Sequence, residues 1–236
     1  MASAPRRFYQ EASSRAGPIG WCIALDGRVL KSPAKREFYL PSPALAEAIA
    51  AEWNAQGEKV NPASMPLMQL ASTAIDRVAV NRAGIEAEVA GYAATDVVCY
   101  RATEPQSLME RQRAVWDPLI AWVRQRYEAS LEITSGVMAV AQSPQALAVL
   151  RRAVEARDDF GLAALAVLTS TAGSLVIGLA VAEERLSAEQ GAEAAQLDEL
   201  YQATRWGEDA EAASRRRLQA SDMVQARRFL DLLVAA

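Results

Sequence analysis

The stretch "GWCIALDGRVLKSPAKREFYLPSPALAEAIAAEWNAQG", Gly20–Gly57, changes its pattern from strand to helix and thereby decides the fold class. Two short apolar runs flank Asp26-Gly27, a dipeptide that favours a two-residue hairpin turn because both turn positions need positive φ. "REFYL" (Arg36–Leu40) predicts a further strand. This half of the stretch therefore predicts a small antiparallel sheet.

The second half of the stretch predicts a helix. Ser42 suits the N-cap and Pro43 the first helical position. Leu45, Ile49 and Trp53 then recur every four residues, which places them on one helical face. We therefore predict an α+β protein with a small β-rich N-terminal domain, residues 1–60, that holds the hairpin and the first helix, followed by a larger, mainly α-helical domain, residues 61–236.

The remainder of the chain has helical periodicity with clear start and stop signals. Ser143 and Ser187 are expected N-caps, and Ser187 with Gln190 predicts a capping box. Pro118 falls within one helical pattern and predicts a kink or a restart there. "LEITSGVMAV" suggests one more short strand. We expect helices at about 66–79, about 82–93, Gln106–Tyr127, Pro144–Arg157, Ser187–Trp206 and about 208–233.

Composition excludes several kinds of active site. The chain has no histidine, so it can hold neither a Ser-His-Asp triad nor a His-ligated metal. Its two cysteines, Cys22 and Cys99, cannot form a four-thiolate zinc site, and we expect free thiols. A formal net charge of −4 argues against nucleic-acid binding. The N-terminus lacks the apolar segment of a secretory signal, and we expect no metal and no cofactor.

The segment Gly161–Ala182, "GLAALAVLTSTAGSLVIGLAVA", carries no charge. It is long enough to span a bilayer. However, it is rich in Ala, Gly, Ser and Thr, and acidic residues flank both of its ends without a cluster of Lys or Arg. We therefore favour a buried helical hairpin or a kinked core helix over a membrane span, and expect no stable membrane insertion.

The segment "TDVVCYRA", Thr95–Ala102, admits two interpretations. As an active site, it would use Cys99 as a nucleophile or Asp96 as a base assisted by Tyr100. As a structural strand, it would bury its apolar residues and Cys99, with Asp96 capping or ion-paired at the edge. A strand would place Arg101 on the same face as Cys99. We favour the structural interpretation.

The segment "LDELYQATRWGED", Leu197–Asp209, is a candidate binding helix. One stripe, with spacing i, i+3, i+4, i+7, is expected to face the core; it consists of Leu197, Leu200, Tyr201 and Thr204. Glu199, Gln202 and Trp206 would then face outward, where an exposed Trp could anchor a protein partner. Burial of Trp206 under further helices is the equally weighted alternative. The Arg215–Arg217 run is expected to be a solvated helix face.

Several motifs together resemble a known family, the chaperones that assemble the F-type ATP synthase head by binding its alpha subunit. They are "RRFYQ", "LDGRVLKSPAK", "LAEAIAAEWNAQGEKVNPASMPLMQLASTAID", "TDVVCYRATEPQSLMERQRAVWDPLIAW" and "LDELYQATRWGEDAEA", in the order of the family. The resemblance implies a protein without enzymatic activity that keeps unassembled alpha subunit from aggregating until the beta subunit arrives. No phosphate-binding loop is present in the sequence.

The resemblance also assigns residues to family motifs. Those we expect to be structural are Trp53, Asp96, Tyr100, Trp116, Asp117, Pro118, Tyr201 and Gly207. We expect Glu199, Gln202 and Trp206 to contact the alpha subunit. The chain lacks the N-terminal extension of mitochondrial members, so we expect a cytoplasmic protein of an alphaproteobacterium, or a processed protein of the mitochondrial matrix, acting as a monomer. The alternatives are a soluble enzyme with Asp96 or Glu199 as acid–base group, and a membrane-attached protein.

Overall fold

The computed structural model describes residues 5–136 and 138–234 and has the predicted α+β architecture. Strands β1 to β4 form one antiparallel sheet near the N-terminus, and β5 and β6 form a short parallel pair. The strands are β1 (Ala12–Gly17), β2 (Gly20–Leu25), β3 (Arg28–Val29), β4 (Tyr39–Leu40), β5 (Tyr100–Arg101) and β6 (Thr134–Ser135). The helices that follow hold most of the remaining described residues.

The predicted hairpin is confirmed. Strands β2 and β3 pair across Asp26 and Gly27, whose φ angles are 47° and 80°. The Asp26 carboxylate also accepts hydrogen bonds from the backbone N–H groups of Gln10 and Glu11, which ties the turn to the segment before β1. Of "REFYL", only Tyr39 and Leu40 form a strand, which pairs with β2.

The helices are α1 (Pro43–Asn54), α2 (Pro66–Thr73), α3 (Arg82–Gly91), α4 (Gln106–Tyr127), α5 (Pro144–Glu155), α6 (Asp159–Ala172), α7 (Leu175–Ala182), α8 (Ala188–Ala195), α9 (Leu197–Trp206) and α10 (Ala210–Val234). As predicted, the Ser42 side chain caps α1, and Leu45, Ile49 and Trp53 are buried. Ser143 caps α5, and Ser187 with Gln190 forms the capping box of α8.

Three helices differ in detail from the sequence predictions. The helix expected at about 66–79 is present, but α2 changes at Ala74 to a π-helix that continues to Val78. Helix α4 continues through Pro118 without a restart, because the buried side chains before and after the proline keep both halves packed, and a kink there stays a prediction. The helix expected from Ser187 to Trp206 is divided at Gln196 into α8 and α9. Val137, within the expected strand "LEITSGVMAV", lies outside the described residues.

The uncharged segment Gly161–Ala182 forms parts of α6 and α7, as a buried pair of helices. Gly173, with φ of 63°, ends α6, and Ser174 caps α7. The two helices approach closely, since a Cβ on Gly178 would lie 2.5 Å from Thr169 Oγ1. Within the described part of the chain, none of the helices has the length and apolarity that crossing a membrane requires.

The chain divides into two compact units. The first contains residues up to Arg82, Asp159–Ala164 and the residues from Arg228 onward. The second contains Ala83–Asp158 and Leu165–Arg227, and it holds α9 and the segment "TDVVCYRA". The first unit therefore includes residues from both of the domains that the sequence predicts. The domain boundary at residue 60 stays a prediction.

Candidate partner-binding site

Helix α9 brings Glu199, Gln202 and Trp206 into one groove. The groove measures about 390 Å³, and its opposite wall comes from α10 and the turn before it. Trp206 is 76% exposed, which is rare for the largest side chain. This exposure agrees with the predicted outward orientation of Trp206 and not with its burial under further helices. The outward orientation of all three side chains, expected from the sequence, is therefore present in the structure.

The turn between α9 and α10 shapes this groove. Gly207 ends α9 with φ of 93°, and its N–H donates to the carbonyl of Ala203. The Asp209 carboxylate then accepts a hydrogen bond of 2.7 Å from the N–H of Ala212 and so caps the start of α10. The end of α9 agrees with the predicted helix bound at Trp206. The cap at Asp209 is absent from the sequence predictions, although an acid before "AEAA" is a recognisable cap signal.

An ion-pair cluster forms the charged wall of the groove. Arg216 is only 7% exposed and lies 2.5 Å from a Glu208 oxygen and 3.7 Å from a Glu199 oxygen. Arg215 lies 3.8 Å from the same Glu199 oxygen. The prediction of a solvated arginine face is therefore wrong for Arg216, which buries its stem while its guanidinium pairs with acids of the preceding segment. Arg216 follows the buried Ala213 by three residues, so the two lie on the same face of the helix. This spacing is the sequence signal that could have predicted the burial of Arg216.

A second groove lies on the other side of α9. It measures about 440 Å³, and its lining includes Arg111, Glu193, Leu200 and Thr204. The predicted core stripe is therefore correct only in part. Leu197 and Tyr201 are buried, but Leu200 is half-buried and Thr204 is exposed, so α9 stands between two grooves with few of its residues covered.

The segment "TDVVCYRA" is not the predicted strand, because Val97–Cys99 forms a 3₁₀ turn and only Tyr100–Arg101 belongs to a strand. Asp96 is completely buried rather than at an edge. Its carboxylate accepts hydrogen bonds from Ser174 Oγ at 2.6 Å and Val176 N at 3.0 Å, and so binds the N-terminus of α7. Burial raises the pKa of Asp96 to about 6, and these hydrogen bonds oppose that rise.

The other polar groups of this segment hold α4. Arg101 lies 2.9 Å from Asp117, and its guanidinium stands over the Trp116 ring at 5.3 Å. Burial lowers the pKa of Arg101, which the neighbouring Asp117 carboxylate opposes. Burial also raises the pKa of the Cys99 thiol to about 12, so this thiol does not form the thiolate that a nucleophile needs.

The remaining motif residues lie apart from the groove. Trp53 is buried in α1, where its carbonyl accepts a hydrogen bond from Tyr9. Tyr100 is half-buried in β5, and Pro118 is exposed on α4. Trp116 is buried, and its indole N–H donates to the carbonyl of Ala194 at 2.9 Å.

The described residues contain no group of three or more Cys, Asp or Glu side chains that could hold a metal ion. Cys22 and Cys99 are both buried, free thiols, as expected from the sequence.

Comparison with known proteins gives consistent matches along the chain. The family model of the ATP12 chaperone protein matches residues 6–124. The crystal structure of Atp12 from Paracoccus denitrificans is 40% identical, with a TM-score of 0.94 over 97% of this chain and 98% of that one. A protein from Agrobacterium tumefaciens is 37% identical, with a TM-score of 0.93 over 97% and 86% of the two chains. Protein atp12, mitochondrial, from Schizosaccharomyces pombe is 26% identical over 86% of this chain and 74% of its own length.

Proposed function

The chain belongs to the ATP12 chaperone family, and from this premise we propose that it assists assembly of the F1 head of ATP synthase by binding the unassembled alpha subunit. The observation that carries the proposal is the structural match over nearly the whole chain at 40% identity. Such a chaperone needs a surface that complements the client, and it needs neither a nucleophile nor a metal.

We place the client contact on the groove of α9 and α10. Trp206 offers a large apolar surface that costs free energy to leave in water, and tryptophan is among the side chains that dominate the binding energy of interfaces. Gln202 lies between Trp206 and Glu199 on the same helical face and can donate and accept hydrogen bonds.

Glu199 supplies charge selectivity in this proposal. Its ion pairs with Arg215 and Arg216 are longer than a hydrogen bond, at 3.8 Å and 3.7 Å, so its carboxylate can accept a charge-assisted hydrogen bond from a basic client side chain. Arg216 also pairs with Glu208 at 2.5 Å, and we expect this pair to persist when Glu199 is replaced. Replacement of Glu199 should therefore change binding more than folding.

The enzyme alternative finds less support in the geometry. Both carboxylate oxygens of Asp96 accept hydrogen bonds from α7, and the side chain is completely enclosed, so a substrate could not reach it. Glu199 is open to solvent on a broad groove, where water would compete with any proton transfer that it performed.

The compartment and oligomeric state are further parts of the proposal. Matches in Paracoccus and Agrobacterium favour the cytoplasm of a bacterium, while the fission yeast relative is mitochondrial. We propose a monomer, since the α9 groove would bind the client and not a second copy. Sedimentation equilibrium of the purified chain tests this, and a stable dimer would contradict it.

An aggregation assay tests the function. Purified alpha subunit is diluted from denaturant, and light scattering is followed with and without the protein. We expect suppression at a near-stoichiometric ratio, and weaker suppression by Glu199→Lys and by Trp206→Ala.

Matched controls separate the groove from general surface effects. Glu47→Lys reverses an exposed charge on α1, and Leu218→Ala removes a side chain that is 65% exposed on α10 but does not line the groove. Both should suppress aggregation as the wild type does. Equal loss in controls and groove variants would contradict the proposed surface, and no suppression by the wild type would contradict the function.

A further inference from the structure

We infer that Gln112 of α4 is a positioning residue for the client-binding face of α9. The inference rests on the proposed function, because it concerns how α9 is presented to the client. The Gln112 amide is buried and does not line the groove. In this role it fixes the position of the first turn of α9, and thereby the position of the Glu199 carboxylate.

Gln112 is 1% exposed, and both ends of its amide are used. Its carbonyl oxygen accepts a hydrogen bond of 2.8 Å from the backbone N–H of Ala102, the last residue of "TDVVCYRA". Its amide nitrogen donates, also at 2.8 Å, to the carboxylate of Asp198 in the first turn of α9. The side chain therefore connects the motif segment, α4 and α9, and its two ends cannot be exchanged without breaking both bonds.

Two further hydrogen bonds connect α4 to the same region. The hydroxyl groups of Ser107 and Tyr201 are 2.5 Å apart, and the Trp116 indole donates to the Ala194 carbonyl just before α9 begins. Helix α4 therefore bonds to the end of α8, the first turn of α9 and the middle of α9. Three contacts along this path define both the position and the rotation of the helix.

Helix α9 depends on such contacts because few of its own side chains are buried. It has ten residues, no side chain that caps its first backbone N–H groups, and buried side chains only at Leu197 and Tyr201. A helix this short is marginal in isolation, so tertiary contacts decide where it lies. Since Glu199 directly follows Asp198, a displaced first turn would move Glu199 relative to Gln202 and Trp206.

A swap of donor and acceptor tests this role. In Gln112→Glu, position 112 keeps its acceptor for Ala102 but faces Asp198 with a second carboxylate, which repels it. In the double variant Gln112→Glu with Asp198→Asn, the new amide at 198 can donate to the new carboxylate at 112. Asp198→Asn alone retains an acceptor for Gln112 and serves as the control.

Two readouts are measured for each variant. Hydrogen exchange of the α9 amides measures how stably the helix is held in the absence of client. Affinity for isolated alpha subunit measures how well the protein binds its client. We expect Gln112→Glu to accelerate exchange in α9 selectively and to weaken affinity on the order of tenfold, equivalent to about 1.4 kcal/mol. The double variant should recover most of the wild-type exchange protection in α9 and most of the wild-type affinity. Asp198→Asn alone should stay near the wild type in both measurements.

The outcomes separate this inference from the proposed function. If Gln112→Glu binds the client as tightly as the wild type while Trp206→Ala does not, the positioning role is wrong and the groove stands. If exchange accelerates throughout the chain and the double variant recovers neither readout, Gln112 is a general stability residue and the inference is overturned. If the wild type does not bind alpha subunit, the proposed function fails, and selective exchange in α9 that the swap repairs would still show positioning by Gln112.

Discussion

Replacing Asp96 with alanine should destabilise the protein in a pH-dependent way. The change removes the acceptor of two short hydrogen bonds, from Ser174 Oγ at 2.6 Å and Val176 N at 3.0 Å, and of a longer one from Val98 N at 3.3 Å. Each buried donor left without a partner costs about 1–3 kcal/mol. Removing a buried charge offsets part of this cost, so we expect a net loss of about 2–4 kcal/mol in the free energy of unfolding at neutral pH.

The sign of the pH dependence follows from the raised pKa. The folded carboxyl titrates at about 6 and the unfolded one near 3.8, so between these values the folded protein binds a proton that the unfolded chain has released. Wild-type stability from this group therefore falls as pH rises through that window. The alanine variant lacks the effect, so the gap in stability should be larger at about pH 4.5 than at about pH 7.5, by on the order of 2 kcal/mol.

Urea denaturation followed by circular dichroism at both pH values measures this gap, and other titrating groups cancel in the difference between the two proteins. Asp26→Ala is a control of opposite sign, because backbone hydrogen bonds from Glu11 and Gln10 lower the pKa of Asp26. A stability gap under about 0.5 kcal/mol, or one that grows with pH, would refute our account of Asp96.

Further predictions concern other parts of the structure. Cys99→Ser should leave affinity for alpha subunit unchanged in folded protein, because the buried thiol is not part of the groove; a titration that shows weakened binding would count against a structural Cys99. Gly178→Ala should lower the thermal midpoint, since the new Cβ would lie 2.5 Å from Thr169 Oγ1, whereas Gly57→Ala, with open space around it, should not; equal midpoints would contradict the close helix packing. Tyr127→Phe removes a 2.6 Å hydrogen bond to Glu183 and should cost about 1 kcal/mol in urea unfolding, and an unchanged midpoint would show that the two arginines at Glu183 suffice.

Local signals predicted the first third of the fold well. The turn at Asp26-Gly27 and the cap at Ser42 depend on neighbours within a few residues, so both can be predicted from the local sequence. The outward face of α9 was predictable for the same reason, since helical spacing alone places Glu199, Gln202 and Trp206 together.

Contacts between distant residues account for the errors. Asp96 bonds to Ser174, 78 residues further along the chain, and this partner explains why a charged residue can be buried where an edge was expected. The division of one expected helix at Gln196 has a similar cause, because the Gln196 amide donates to the Arg216 carbonyl of α10. The hydrophobic periodicity of a segment does not identify partners that lie far away in the sequence.

We propose that this chain binds the alpha subunit only while that subunit is unassembled, and that it does so through the α9 groove. Sedimentation velocity of the protein mixed with isolated alpha subunit, and separately with alpha already joined to beta, tests it most directly. We predict a complex with isolated alpha, no complex with assembled alpha, and a weaker complex for Trp206→Ala. Equal binding to both forms, or no complex with isolated alpha, would contradict the account.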